Sequence, residues 1–171
     1  KYFDFFHALP LDVMPSIMTM NAAEMRPFRR LKRNGIKTVL YSTEPREDTW
    51  TYFPDKELAF HRAIGIGNFL EPKRHYAIVE SIGAHSFERI RADAEKVDFL
   101  LEPIAESASD YAYPVFDREA EKNKQEALRV LGAKGVYALG RFAEWEYYNM
   151  DACMFRAMHV AASIGEQGLL R

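Results

Sequence analysis

Cysteine is almost missing from this chain: Cys153 is the only one in 171 residues. That excludes an intramolecular disulfide framework and any multi-cysteine metal site. No apolar run approaches the about 18 residues that a membrane span requires. Neither sign of charge dominates: 23 Lys and Arg stand against 25 Asp and Glu, a formal net charge of −2. Such a balance provides no global field to attract nucleic acid or an anionic membrane. The chain also lacks G-x-S-x-G, a P-loop, H-E-x-x-H and C-x-x-C. Its histidines, at 7, 61, 75, 85 and 159, include no i, i+4 pair, so no sequence-local metal site is expected. Gly65-Ile66-Gly67 follows a strand pattern, but no helix pattern opens there and Pro72 comes soon after, so it is not a dinucleotide fingerprint. Internal repeats, low-complexity tracts and linkers are absent as well.

What is present is enough for a core. The chain is 48% hydrophobic and 28% charged, which excludes wholesale disorder. Its length fits one domain, or one domain and a piece of another. Aromatics are plentiful, with 12 Phe, 9 Tyr and 2 Trp; they suit a site for a flat ligand and an ordinary sheet alike. The chain opens at Lys1 and runs straight into Tyr2-Phe3-Asp4-Phe5-Phe6, with no charged leader before it and Pro10 soon after. This reads as a strand in progress and not as a signal peptide. The expectation is the later part of a longer protein, with the cytoplasm as the default compartment.

Residues 2–9 are predicted as a strand, and 12–20 as a short helical or turn segment broken by Pro15. Residues 21–33 form a predicted helix, capped by Asn21 with Glu24 three residues on. Arg26, Arg29, Arg30, Lys32 and Arg33 make a basic cluster, a solvated helix face in preference to a nucleic-acid patch. Asn34-Gly35 reads as a turn. Strands are expected at 36–42, 49–53, 60–66 and 75–82, joined too closely for crossover helices, hence an antiparallel meander. A helix from Ser86 should carry Phe87, Ile90, Ala94, Val97 and Leu101 on one face, with Pro103 ending or kinking it. Tyr111 to Phe116 is the next strand. Asp117 should cap a helix to Leu131, with Gly132 at its end. Val136 to Leu139 is a short buried strand. A last helix starts near Asn149, with Met150, Cys153, Met154, Ala157, Met158, Ala161 and Ile164 forming an anchoring stripe. The fold class is α+β, a mainly antiparallel sheet with flanking helices.

The segment from Tyr137 to Asp151 is the most informative. It reads as a buried strand, a Gly140-Arg141 turn, an aromatic loop and a helix start. This brings the positive end of a helix beside flat side chains. Gly140 allows close backbone approach, and Arg141 can pair with a phosphate. An N-cap beside aromatic packing explains the same pattern without a ligand.

The segment resembles the C-terminal FAD-binding motif of UDP-galactopyranose mutases and related amine-oxidase-like flavoproteins. Further matches follow the family's order. Ala8-Leu9-Pro10-Leu11 resembles its small-Leu-Pro-Leu turn. Trp50-Thr51-Tyr52-Phe53-Pro54-Asp55, then Phe60-His61-Arg62, resembles its Tyr-Phe-Pro and Phe-x-Arg strands. Tyr76 to Glu80 resembles the strand ending in Val-Glu, and Tyr113-Pro114-Val115 its Tyr-Pro-Val segment. The resemblance spans almost the whole chain. It implies the substrate-side portion of a two-domain flavoprotein: residues 1–135 as substrate-facing sheet and helices, and 136–171 as the strand–helix return of the FAD-binding domain. The family's N-terminal Rossmann portion, with Gly-x-Gly-x-x-Gly, is missing from this sequence. That portion would be a partner within the same protein, and the fragment alone should not hold FAD tightly.

By the same resemblance Arg62, Tyr113 and Tyr148 are the catalytic candidates. Arg62 matches the strand arginine near flavin and substrate, and the tyrosines match those that line the pocket. A surface strand arginine and ordinary aromatic packing are the alternatives. Gly140, Arg141, Trp145, Asn149, Met150 and Asp151 are the cofactor-binding candidates, with Arg141 on the phosphate side and 149–151 facing the flavin pyrimidine. Glu80 is either a partner for Arg62 or a sheet-surface carboxylate. Trp145 stands where the mutases usually have Tyr, and Asn149 where they usually have Asp. Both departures weaken the sugar-nucleotide assignment and favour a broader FAD-dependent oxidoreductase; the partner the resemblance implies is a small-molecule substrate, a nucleotide sugar or an amine. The competing readings are a UDP-galactopyranose mutase-like isomerase and a non-catalytic α+β binding domain.

Overall fold

The computed structural model of the chain describes residues 5–166. Residues 2–4 of the first expected strand, and the side chain of Ile164 on the last helix, lie outside the described residues. In chain order the elements are β1 (Phe5–His7), α1 (Met14–Ile17), α2 (Ala22–Arg29), β2 (Lys32–Thr43), β3 (Trp50–Tyr52), β4 (Arg62–Ile64), β5 (Tyr76–Ile82), α3 (Phe87–Ala94), β6 (Leu100–Val115), α4 (Ala120–Gly132), β7 (Val136–Ala138) and α5 (Met150–Glu166), with 3-10 turns at Leu11–Val13 and Ile66–Phe69. The fold is α+β. Two compact units emerge: Lys1–Arg33 with Tyr113–Arg171, and Asn34–Ala112. Residues 1–33 and 113–135 thus group with the C-terminal strand and helix, where the sequence reading had divided the chain at 135/136.

In the first unit, β1 and β7 pair in parallel, Phe5 opposite Val136 and His7 opposite Ala138. Asn21 caps α2 as expected: its side chain accepts from the amides of Ala23 and Glu24, and the Glu24 carboxylate accepts from Asn21 N–H. These bonds satisfy orphan donors of the first turn. The core is Leu11, Met14, Met20, Phe28, Leu31, Ala127, Leu131, Val136 and Trp145. The basic cluster is partly neutralised within this unit, Lys32 by Asp117 and Arg33 by Asp12.

In the second unit, five strands form one sheet in the order β3-β4-β5-β2-β6. The pairings β3–β4, β4–β5 and β2–β5 are antiparallel, the first two as their short connections require. The order is not a simple meander, because β2 lies beside β5 and not beside β3. The two faces differ sharply. Val39, Tyr41, Ala63, Ala77 and Val79 are buried on one face, together with Phe60, Ile90, Ala94 and Leu100 from the elements packed there. On the other face, Ile36, Leu40, Ile64, Ile78 and Ile82 are half-buried, and Trp50, Tyr52 and Tyr76 are exposed. This is the period-two alternation of a sheet covered on one side.

Several expectations are corrected. Asn34-Gly35 is no turn but lies inside β2; a Cβ on Gly35 would stand 3.0 Å from Ser109 O on β6, so the glycine serves close strand approach. The helix expected over 21–33 ends at Arg29, since Lys32 and Arg33 already belong to β2. α3 ends at Ala94 instead of running to Pro103. Successive turns follow, Lys96 N–H to Asp93 O and Val97 N–H to Ala94 O, with Lys96 Nζ also held by the Asp93 carboxylate. Phe87, Ile90, Ala94 and Val97 do pack in the core, whereas Leu101 is exposed on β6. Residues 100–110 are strand, although their Ala, Ser and Glu content carries little β preference. Gly132 is the last residue of α4, and Gly135, at φ 70°, makes the reversal into β7. Finally, the α5 stripe is not an anchor: Met150, Met154 and Met158 are 84%, 62% and 72% exposed.

Candidate functional site

β7 ends in a turn that only glycine enters without strain. Gly140 has φ 97°, a region that L side chains rarely adopt. Its N–H donates to Glu144 Oε2 at 3.0 Å, and its carbonyl accepts from Glu144 N–H at 2.8 Å. Glu144 is itself buried, and Arg156 of α5 donates to its Oε1 through Nε (2.9 Å) and Nη2 (2.6 Å). The loop is therefore closed on itself and tied to α5. Gly140 offers a ligand no free main-chain group, only the space of its absent side chain. Sequence reasoning missed Glu144 and Arg156; a glutamate four residues after a glycine turn was the available signal.

Arg141 is the unusual residue. Its Nε and Nη2 are buried and have no hydrogen-bond partner among the described residues. Its Cζ lies 4.7 Å from the Tyr113 ring centroid and 4.6 Å from that of Tyr147. The two rings are stacked, 5.7 Å apart and 18° from parallel. The cation–π contacts offset part of the desolvation. Two unpaired donors still carry the cost of a buried polar group without its bonds. Tyr147 was also missed; it sits in the aromatic loop beside Tyr148, which was the residue singled out.

Two open concavities adjoin this guanidinium and share Arg141, Cys153 and Met154. One, of about 450 Å³, is also lined by Ala8, Leu139, Gly140 and Phe142. The other, of about 760 Å³, is lined by Tyr148, Asn149 and Met150. Asn149, Met150 and Asp151 are exposed at the start of α5, and Asn149 O accepts from Cys153 N–H at 3.0 Å. Burial, followed by the charges of Glu144 and Glu146, raises the Tyr148 phenol above its ordinary value. The structure thus brings together Tyr113, Gly140, Arg141, Tyr148, Asn149 and Met150, with Asp151 on the same first turn of α5. Trp145 is different. It is 0% exposed, packs edge-on against Phe142 at 6.2 Å and belongs to the core. Its indole Nε1 is buried without a hydrogen-bond partner among the described residues, and its backbone at φ 54° bends the loop.

Arg62 belongs to the second unit and has its own surroundings. It stands opposite Glu80 in the β4–β5 register, pairs with it through Nε, and lies 5.1 Å from the Trp50 ring centroid. Glu80 is therefore its partner. The neighbouring His61 is held below the ordinary imidazole value by burial and by the Arg62 charge. Deeper in this unit, Asp93 accepts from Ala59 N–H (2.9 Å), Arg89 Nε (2.6 Å) and Lys96 Nζ (2.7 Å). Burial alone would raise the Asp93 carboxyl, but these bonds outweigh it and hold it at about 2. Among the described residues, no group of three His, Cys, Asp or Glu could hold a metal ion, and no helix is long and apolar enough to cross a membrane.

No family model and no curated protein sequence matches the chain. Solved structures do. A crystal structure of reduced UDP-galactopyranose mutase superposes with a TM-score of 0.69 at 15% identity, covering 84% of this chain and 37% of that one. A fatty acid isomerase from P. acnes that produces CLA gives 0.69 at 15% identity, covering 92% and 40%. A protein from Exiguobacterium sp. 255-15, assigned as a protoporphyrinogen oxidase, gives 0.67 at 14% identity, covering 95% and 41%. The chain spans about two fifths of the length of these structures. At such identity the likeness concerns the fold: this chain has the fold of part of the UDP-galactopyranose mutase, protoporphyrinogen oxidase and fatty acid isomerase structures, as the resemblance in its motifs implied.

Proposed function

We propose that this chain is the substrate-side and flavin-closing portion of an FAD-dependent oxidoreductase of the amine-oxidase-like class, completed by an N-terminal Rossmann portion of the same protein. The single observation that carries this reading is Arg141. A guanidinium with two buried, unpartnered donors beside open concavities is suited to an anion that brings its own acceptors. The chain's residues fit the group: Arg141 would hold the phosphate side, Gly140 would leave room for it, and Asn149, Met150 and Asp151 would border its ring at the N-terminus of α5. That helix end favours negative charge. When bound, the flavin supplies hydride-accepting chemistry. Tyr113 and Tyr147 orient the Arg141 plane, Tyr148 keeps its proton at neutral pH, and Arg62 with Glu80 forms the polar point of a substrate-facing sheet.

The test is the complete protein, purified with its native upstream sequence. Flavin absorbance bands, and their loss in Arg141→Ala, are the expected result. A complete protein without flavin, whose stability the substitution leaves unchanged, would instead favour a non-catalytic binding domain. Conversion of UDP-galactopyranose by the reduced protein, with no net oxidation, would favour the isomerase.

A further inference from the structure

We infer that a cavity in the second unit, formed by the β3–β4 connection, the end of β5 and the loop after it, binds a small organic anion: a carboxylate carried on an aromatic or branched apolar body. This goes beyond the flavoprotein reading and does not rest on it, because every lining residue falls between 53 and 85, within the second unit. The cavity measures about 370 Å³, near the lower end of the range of about 300–1,000 Å³ that small-molecule sites occupy. Phe53, Leu58, Phe60 and Ile82 supply its apolar wall. Phe53 and Phe60 meet edge to face, with ring centroids 5.0 Å apart and planes at 86°. Phe60 belongs to the buried core, and Phe53 and Leu58 pack against that core.

The wall is fixed before any ligand arrives. Ala59 N–H donates to Asp93 Oδ2 at 2.9 Å, and Ala59 O accepts from the Ser81 hydroxyl. Phe53 N–H donates to His61 O at 2.8 Å, and His61 N–H to Glu80 O at 3.1 Å. The rim is pinned as well: Asp55 Oδ1 accepts from Glu57 N–H at 2.8 Å, and Glu57 O accepts from Arg89 Nη2 at 2.8 Å. These bonds take up main-chain groups of the wall and rim and leave side chains to meet a ligand. Lys56 and His85 line the cavity, and neither side chain has a hydrogen bond or an ion pair among the described residues. His85 is positioned through its main chain, whose carbonyl accepts from Lys37 Nζ at 2.6 Å. His61 is not a third free donor: its imidazole, held below its ordinary value by burial and the Arg62 charge, is engaged with the Glu80 main chain. Asp55 is the one carboxylate lining the cavity, and its Oδ1 is bonded within the rim turn. The Lys56 ammonium and the His85 ring are thus two donors without acceptors, set beside an apolar wall. Such an arrangement takes one carboxylate by charge-assisted bonds and its hydrocarbon body by burial.

The experiment titrates the complete protein by calorimetry with 2-naphthoate, 2-naphthamide and 2-naphthylmethylamine, which share one apolar body and differ in charge. Naphthoate should bind with a Kd of about 0.1–1 mM, as its size allows, and roughly five- to twentyfold more tightly than the amide or the amine. Lys56→Gln and His85→Gln, both at exposed positions, should each weaken naphthoate binding by roughly three- to tenfold and leave the affinity for the amide as it was. Ile82→Ala, on the apolar wall, should weaken naphthoate and amide alike. Circular dichroism and melting temperature, recorded for each variant, separate loss of the site from loss of the fold. Naphthoate that fails to bind at millimolar concentration would overturn the inference, as would amide or amine binding as tightly as naphthoate. So would an affinity unchanged in both Lys56→Gln and His85→Gln, or binding kept in Lys56→Gln and lost in Arg141→Ala, which would move the anion to the first unit. Flavin content decides the reading above and none of these outcomes.

Discussion

The two units part at one cation, although the first also pairs ions such as Glu144 with Arg156. In the second unit every half-buried or buried ion considered above has its counter-ion at contact: Arg62 with Glu80, and Asp93 with Arg89 and Lys96. In the first unit Arg141 keeps two buried donors without partners, and α5 exposes Met150, Met154 and Met158. A region complete in its own bonds can be stable alone and offers a surface. A region with an unanswered cation and bare apolar side chains is stable at some cost and gains from what it binds. Removing a paired charge should therefore damage the second unit, and removing the unpaired one should spare the first.

The largest effect should come from a core residue and not from a charge. Trp145→Ala removes a fully buried ring from the first unit and should destabilise it by about 3–5 kcal/mol, read as a lower denaturant midpoint. Asp93→Asn comes next. It leaves Arg89 and Lys96 without their carboxylate and should cost about 2–3 kcal/mol, seen as faster amide exchange at Ala59 and along β5. The same residue sets a pH dependence. Its carboxyl lies at about 2 in the fold against an ordinary 3.8, so its contribution is complete above about 3.8 and is lost as pH falls towards 2. This part of the acid limb should be missing in Asp93→Asn.

Arg141→Ala sharpens the contrast. In the complete protein it should lower FAD affinity by roughly 1.5–3 kcal/mol, measured by flavin titration. The flavin-free form should lose less stability than Asp93→Asn, because the substitution removes the cation–π contacts with Tyr113 and Tyr147 but also two donors that have no partner. A flavin-free form destabilised as much as Asp93→Asn would erase the distinction between the units. The smallest effect is Gly140→Ala. The added Cβ would meet only Cys153 Sγ, at 4.0 Å, so the cost is conformational, about 1 kcal/mol, readable as a modest fall in melting temperature.

Much of this was legible locally. The Asn21–Glu24 box, the strands around Val39 and Val79 and the Gly140 turn all follow from neighbours in sequence. What escaped depended on distant partners. Gly35 looks like a turn until Ser109 is seen against it. The Ala- and Ser-rich run 100–110 becomes strand because β2 offers it a ladder. Trp145 lies in an aromatic loop with Tyr147 and Tyr148, and nothing in the spelling says which ring turns into the core. The α5 stripe has the spacing of a buried face, yet among the described residues it is exposed; periodicity shows that a helix has an apolar side, not what covers it. At the candidate site the sequence singled out Arg141, but its missing partners are a property of the fold alone.

Glu144 carries a consequence for how such a chain can change over generations. Its Oε2 accepts from Gly140 N–H and its Oε1 from Arg156, so turn, loop and helix share one buried carboxylate. Replacing Glu144 alone removes the Arg156 ion pair and the acceptor of the Gly140 N–H, and replacing Arg156 alone leaves a buried carboxylate without its cation. A one-residue insertion between 140 and 144 breaks both. Lineages that keep this turn should therefore alter positions 144 and 156 in concert, with the four-residue spacing held constant.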